Sequence, residues 1–304
     1  LPSTDRQVHI MALPAADVDP TMCDIPLTCP HITLDTLPRC SFQQRVRSHY
    51  HAFWYHLGER FAWSRGAYRE RPVRRLSQLS GIQQARIASL QRRFCVGFEQ
   101  QAEQSTALKQ YDYLEVLERT WSALGLPYSV GGAVQDMGSS NFWYAAALHA
   151  FFQPSELVGV EVEGYRIYTN GYSRLDYAHG YIQNLPNTQF IVGDYAGYDH
   201  PADVITAWYP FVTPDPVLAW RMPLSVLAPH TLFSRVARNL TPHGLFVMVN
   251  QGRDEVAIAA AWCEKVSLVR YGSCEVRTLL RSRRSAVVSC WTSAHASHTS
   301  PYQN

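Results

Sequence analysis

Beyond Pro127 the chain repeats one pattern: a short apolar run, a break at glycine or a polar residue, then a stretch with helical spacing. Strands are predicted at 133–136, 157–162, 190–192, 202–207, 245–249, 267–271 and 286–291. Helices are predicted at 142–152, 172–185, around Phe233, Val236, Ala237 and Leu240, and at 255–263. Strands that alternate with helices cannot close tight hairpins. They form a mostly parallel sheet with helices covering both faces. The expected fold class is therefore α/β, a Rossmann-like, mostly parallel seven-stranded sheet over about residues 128–291.

The first 126 residues read differently. Residues 1–40 are rich in Pro, Thr and Asp with no sustained period, which predicts an extended arm. From Ser41, residues Phe42, Val46, His49, Phe53, Leu57 and Phe61 recur at three- and four-residue steps, one apolar face of a helix. Arg71-Pro72 breaks that pattern. Two more helices are predicted at 76–101 and 107–124, the last stopped by Gly125-Leu126-Pro127. The resulting division is an arm (1–40), a helical cap region (41–126), the α/β domain (127–292) and a polar tail (293–304).

Composition supports a large packed core, with 46% hydrophobic and 17% charged residues. A net charge of only +2 gives no global attraction to nucleic acid or an anionic membrane, and neither is an expected partner. No run reaches the roughly 18 apolar residues of a membrane-spanning helix. The seven cysteines form no CxxC pair, which predicts reduced thiols and a cytoplasmic location. His49, His51 and His56 lack compact zinc spacing, and His295 and His298 lie in the tail, so no metal is expected. The basic clusters Arg69-Glu70-Arg71, Arg74-Arg75, Arg92-Arg93 and Arg281 to Arg284 read as solvated faces, with an RNA or phosphate contact as the alternative.

In an open parallel sheet ligands bind at the carboxyl ends of the strands, near the point where strand order reverses. The first strand is followed by Asp136-Met137-Gly138-Ser139-Ser140-Asn141, where glycine permits a tight turn and the next helix offers its N-terminal amides. The second ends at Gly159-Val160-Glu161, an acid able to accept from a ribose diol. The third is followed by Asp194-Tyr195.

That ordered set resembles the motifs of class I S-adenosylmethionine-dependent methyltransferases. Ala202-Asp203-Val204-Ile205-Thr206 is similar to the family's fourth strand, and Leu240-Thr241-Pro242-His243-Gly244-Leu245 to its approach to the fifth. The resemblance covers a little over half of the chain. It implies S-adenosylmethionine as cofactor and S-adenosylhomocysteine as product. Glu161 would hold the ribose hydroxyls and Asp194, beside Tyr195, the adenine amine. The Gly138 loop, with Ser139, Ser140 and Asn141, would pass beneath the methionine portion, and Asp136 would lie near its amino group. The family loop reads G-x-G-x-G, whereas Gly138 is followed here by Ser140 and Phe142, so the Phe142 ring has to point away.

Trp208-Tyr209-Pro210-Phe211 follows the fourth strand and matches only the Pro-aromatic part of an (Asn/Asp)-Pro-Pro-(Tyr/Phe) motif. It suits a pocket for a planar or apolar small-molecule acceptor rather than nucleobase N-methylation. A hydroxyl acceptor needs a general base, for which Tyr209 and His230 are candidates, with His200 and His243 also near strand ends. The expectation is a small-molecule methyltransferase in which the helical region caps the acceptor pocket and mediates a homodimer. The alternative is a catalytically inactive scaffold that keeps the fold. A nicotinamide-dependent oxidoreductase is disfavoured because the loop lacks G-x-G-x-x-G.

Overall fold

The computed structural model describes residues 22–23, 25–27, 34, 40–127, 131–280 and 285–294. The predicted arm lies mostly outside these residues, as do Arg281 to Arg284, His295, His298 and nearly all of the tail. The elements are β1 (Met22–Cys23), α1 (Phe42–Phe61), α2 (Gly81–Phe94), α3 (Gln104–Leu124), β2 (Ala133–Met137), α4 (Ala145–Phe152), β3 (Glu156–Glu161) and α5 (Arg174–Ile182). They continue with β4 (Thr188–Val192), β5 (Ala202–Trp208), α6 (Pro214–Ala219), α7 (Pro229–Asn239), β6 (Leu240–Asn250), α8 (Arg253–Lys265), β7 (Leu268–Val276) and β8 (Ala286–Ser293).

The strands form one sheet in the order β1-β7-β8-β6-β5-β2-β3-β4. Its centre is parallel, β6-β5-β2-β3-β4. Here the sequence expectation is corrected: the sheet is mixed and has an eighth strand. β8 runs antiparallel between β6 and β7, and the two-residue β1 adds an antiparallel edge to β7. The link from β7 to β8 is too short for the helical crossover that parallel pairing requires, so the pair closes as a hairpin. Side chains alternate along each strand. Val134, Leu157, Val204 and Val247 join the core under α3 and α4, whereas Met137, Val158, Ile205 and Phe246 join the core under α7 and α8.

Several element boundaries also differ from expectation. Phe142 has φ +55°, which no helix interior accepts, so α4 begins three residues later than predicted. Leu240-Thr241-Pro242-His243-Gly244 does not stop a helix before a turn. It forms the start of β6, with Leu240 paired to Ala202. The predicted 76–101 helix is shorter, Gly81–Phe94, with Ser80 and Gln83 forming a reciprocal capping box at its start.

The helices before the sheet differ from one another in burial. α3 is buried over most of its length, and its charges are paired there. Glu115 accepts from Arg86 and Arg119, and Glu118 from Arg86 and Arg93. α1 has no buried residue. The segment after it is anchored by Asp176 of α5, whose carboxylate accepts from the Ser64 hydroxyl and the backbone N–H groups of Arg65 and Gly66. No described helix is long and apolar enough to cross a membrane, and no cluster of metal-ligating side chains occurs among the described residues.

Candidate functional site

Chain order reverses between β2 and β5. From β2 the chain proceeds through β3 to β4 on one side, then returns to place β5 on the other. The carboxyl ends of these strands open into a cavity of about 840 Å³. Its floor is the loop after β2. Gly138, Ser140 and Phe142 all have positive φ, at +73°, +54° and +55°. The backbone of a three-glycine loop is thus retained with side chains at two of the three positions, a strain of about 1–2 kcal/mol at each.

Packing accounts for how Phe142 tolerates this. Its ring is fully buried, points away from the cavity, and packs against Phe190 and Tyr144. The position that the ring needs is kept open by Gly159 on β3. A Cβ there would meet two Phe142 ring carbons and the Ser139 hydroxyl oxygen, each at 2.8 Å. Ser140 faces the cavity, and a Cβ at Gly138 would meet only open space.

Glu161, at the end of β3, fastens this loop. Its carboxylate accepts from the backbone N–H of Ser140 at 2.7 Å and of Glu163 at 2.8 Å, and pairs with Arg174 at 3.3 Å. Arg174 also reaches Glu163 at 3.1 Å, lies over the Trp220 ring and leaves its Nε without a partner. Burial disfavours the guanidinium charge, but the two carboxylates outweigh it. The same burial pushes the Glu163 carboxyl up, although both neighbouring arginines pull it down. Asp194, after β4, is exposed. Its carboxylate accepts from the Ala196 N–H at 2.9 Å, and the cavity borders it.

The sequence-derived residues separate into two groups. Gly138, Ser140, Glu161, Asp194, Tyr195 and Tyr209 line the cavity. Asp136 and Ser139 are fully buried behind it. The Asp136 carboxylate accepts from Thr206 at 2.5 Å and Tyr144 at 2.7 Å, and Ser139 donates to the Asp136 carbonyl at 2.8 Å. Burial raises the Asp136 pKa to about 7 despite those donors. Asn141 is half-buried outside the lining, with its Oδ1 unpartnered. His230 lies elsewhere, edge-on to Trp262 in a separate shallow depression.

The opposite wall of the cavity is aromatic. Tyr113 of α3 stacks on Trp208 at 3.9 Å and contacts Trp143 and Tyr144 at 4.7 and 4.8 Å. Trp208 is buried, lines the cavity and has an unpartnered indole N–H. Tyr209 follows in a left-handed conformation, φ +59°, a strain of the kind stored at ligand sites. Over the mouth lies α1, contributing Tyr55, His56 and Glu59, with His56 Nδ1 3.2 Å from the Glu59 carboxylate. Sequence reasoning missed Tyr113, Trp143, Arg174 and His56 as site residues, since only the tertiary fold brings α1, α3 and α5 to the strand ends.

No protein-family model matches the chain, and no curated protein matches it. It is similar to solved structures at low identity. One is a candidate RNA methyltransferase from Pyrococcus horikoshii, 11% identical with a TM-score of 0.40, covering 62% of this chain and 83% of that one. Another is a precorrin-6y C5,15-methyltransferase from Geobacter metallireducens, at 13% and 0.43, covering 59% and 88%. A third is TrmN from Thermus thermophilus, at 14% and 0.41, covering 59% of this chain and 48% of that one. At these scores no activity or substrate transfers to the chain. The strand order, a parallel centre with β8 antiparallel between β6 and β7, is a Rossmann-like layout.

Proposed function

We propose that the chain is an S-adenosylmethionine-dependent methyltransferase acting on a planar small-molecule acceptor. The observation that carries this reading is the loop after β2, which keeps positive φ at Gly138, Ser140 and Phe142 and is clasped by Glu161 beside the cavity. The residues fit an adenosine-bearing cation. Glu161 and Asp194 supply acceptors for a ribose diol and an exocyclic amine. Gly138 and Gly193, with open space beside each, let the ligand approach the backbone closely. Aromatic faces and carboxylates both favour a sulfonium charge. When bound, the cofactor would supply an electrophilic methyl group for direct in-line transfer, with S-adenosylhomocysteine as the leaving group.

This chain's own contribution is proximity and orientation. The Tyr113–Trp208 stack and Tyr209 present flat faces for a planar acceptor. A hydroxyl acceptor would lose its proton to a base, and the His56 imidazole, 3.2 Å from the Glu59 carboxylate, is placed on the cavity wall to take it. The pairing of Glu161 with Arg174 favours a second reading, a scaffold whose acid is already occupied. Calorimetric titration of the chain with S-adenosylmethionine and S-adenosylhomocysteine, NAD serving as control, separates the two. Micromolar binding of the sulfur ligands that Asp194→Ala weakens supports the enzyme. A folded chain that binds neither ligand is the scaffold.

A further inference from the structure

The apolar face that the sequence shows on α1 does not face the protein. The body side of the helix is polar. Gln44 donates to Asp215 at 2.8 Å, Ser48 accepts from the Leu224 N–H at 2.9 Å, and the Tyr55 hydroxyl donates to the Val162 carbonyl at 3.5 Å. The outer side carries Phe42 (77% exposed), Val46 (52%), Tyr50 (64%), Phe53 (63%), Trp54 (54%) and Phe61 (71%). Burying such a stripe ordinarily holds a short helix in place, and here nothing among the described residues covers it.

We propose that this face is the two-fold interface of a homodimer in which α1 pairs antiparallel with α1 of a second copy. Area supports a stable partner. At about 150–250 Å² per aromatic side chain, the exposures of these five rings leave on the order of 650 Å² of ring surface on one helix. That is at or above the roughly 300–600 Å² of the largest patch on a typical monomer, and close to the roughly 800 Å² that each partner gives to a stable interface.

The order of the apolar residues identifies the partner as a second copy. A two-fold axis through the middle of α1, between His51 and Ala52, sets Phe42 opposite Phe61, Val46 opposite Leu57 and Tyr50 opposite Phe53. Three apolar pairs form across the axis and Trp54 meets the His49 ring, the self-complementarity that an isologous interface requires. The alternative parallel arrangement would bring Arg45 and Arg47 against their own copies, and the antiparallel one separates them. The charged side chains beside the stripe, Arg45, Arg47 and Arg60, remain at its solvated margin. Because α1 also carries Tyr55, His56 and Glu59 over the cavity, pairing holds one wall of the site in place in each copy.

Sedimentation velocity on the full chain tests this. Wild type is expected to be a dimer at micromolar concentration. Phe53→Glu is expected to weaken it by about a hundredfold or more, the loss typical of a central aromatic anchor, with an unchanged far-ultraviolet spectrum because the side chain is exposed. The double variant Tyr50→Cys with Phe53→Cys is expected to form interchain disulfides well above the wild-type background, since the axis sets these positions opposite each other. A monomeric wild type overturns the proposal, as does a dimer unaffected by Phe53→Glu. A monomer that instead sediments with anionic phospholipid vesicles, and stops doing so in Phe53→Glu, overturns it in favour of a lipid surface.

Discussion

The backbone N–H of Ser140 donates to the Glu161 carboxylate at 2.7 Å, tying the loop after β2 to the end of β3. The other carboxylate oxygen accepts from the Glu163 N–H at 2.8 Å, so one side chain fixes two backbone segments that border the cavity. An amide cannot reproduce this, because its NH₂ would face one of the two N–H groups. Glu161→Gln is therefore expected to cost about 1–3 kcal/mol, the usual result of leaving a buried donor unsatisfied. Thermal unfolding measures it, and a melting temperature equal to wild type would show that the clasp does not hold the loop.

The two non-glycine positions of the loop should respond in opposite ways when glycine is restored. Ser140→Gly relieves left-handed strain of about 1 kcal/mol and loses a comparable amount to greater freedom of the unfolded chain. Denaturant titration is expected to find its stability nearly unchanged. Phe142→Gly relieves the same strain but removes a fully buried ring worth about 3–5 kcal/mol, so a net loss of about 2–4 kcal/mol is expected. A stabilised Phe142→Gly variant would refute the balance proposed here.

The alternation after Pro127 was enough to read the parallel centre of the sheet, and Gly138, Ser140, Glu161 and Asp194 all border the cavity that the strand order creates. Three things were not legible. Periodicity shows that α1 has an apolar face but not which way it points, and only Gln44, Ser48 and Tyr55 reveal that its polar side meets the body. Tyr113 and Trp143 carry no motif or spacing that marks them as site residues. Their place beside Trp208 depends on how α3 crosses the sheet. Ser140 and Phe142 depart from G-x-G-x-G, and the sequence does not reveal that both are left-handed or that Gly159, on the neighbouring strand, makes room for the Phe142 ring.

Asp176 should control attachment of the segment that follows α1. Burial alone would raise its pKa, but donors at Ser64, Ser173 and Arg65 outweigh this and hold the carboxyl below the ordinary range. A lowered folded pKa gives stability that is present above the unfolded value of about 4 and is lost as pH falls through the folded one. Asp176→Ala removes the acceptor for Ser64, Arg65 and Gly66 together. Limited proteolysis is expected to cut between residues 62 and 75 at least tenfold faster in the variant, and in wild type only on acidification. Equal cleavage rates would mean that other contacts anchor the segment.

Asp136 should act in the opposite sense. Its pKa is raised by burial to about 7, above the unfolded value of 3.8, so between these values the folded chain binds more protons than the unfolded one. Its contribution to stability is complete below about pH 4, declines as pH rises towards 7, and stays lost above that. Asp136→Asn has no charge to bury and can keep a hydrogen bond to Tyr144, with the Thr206 hydroxyl free to rotate. The difference in melting temperature, variant minus wild type, is therefore expected to grow more positive from pH 4 to pH 8. Taking the difference cancels titration of every other group, so a constant offset across that range would mean that Asp136 ionises no differently in the folded chain than in the unfolded one.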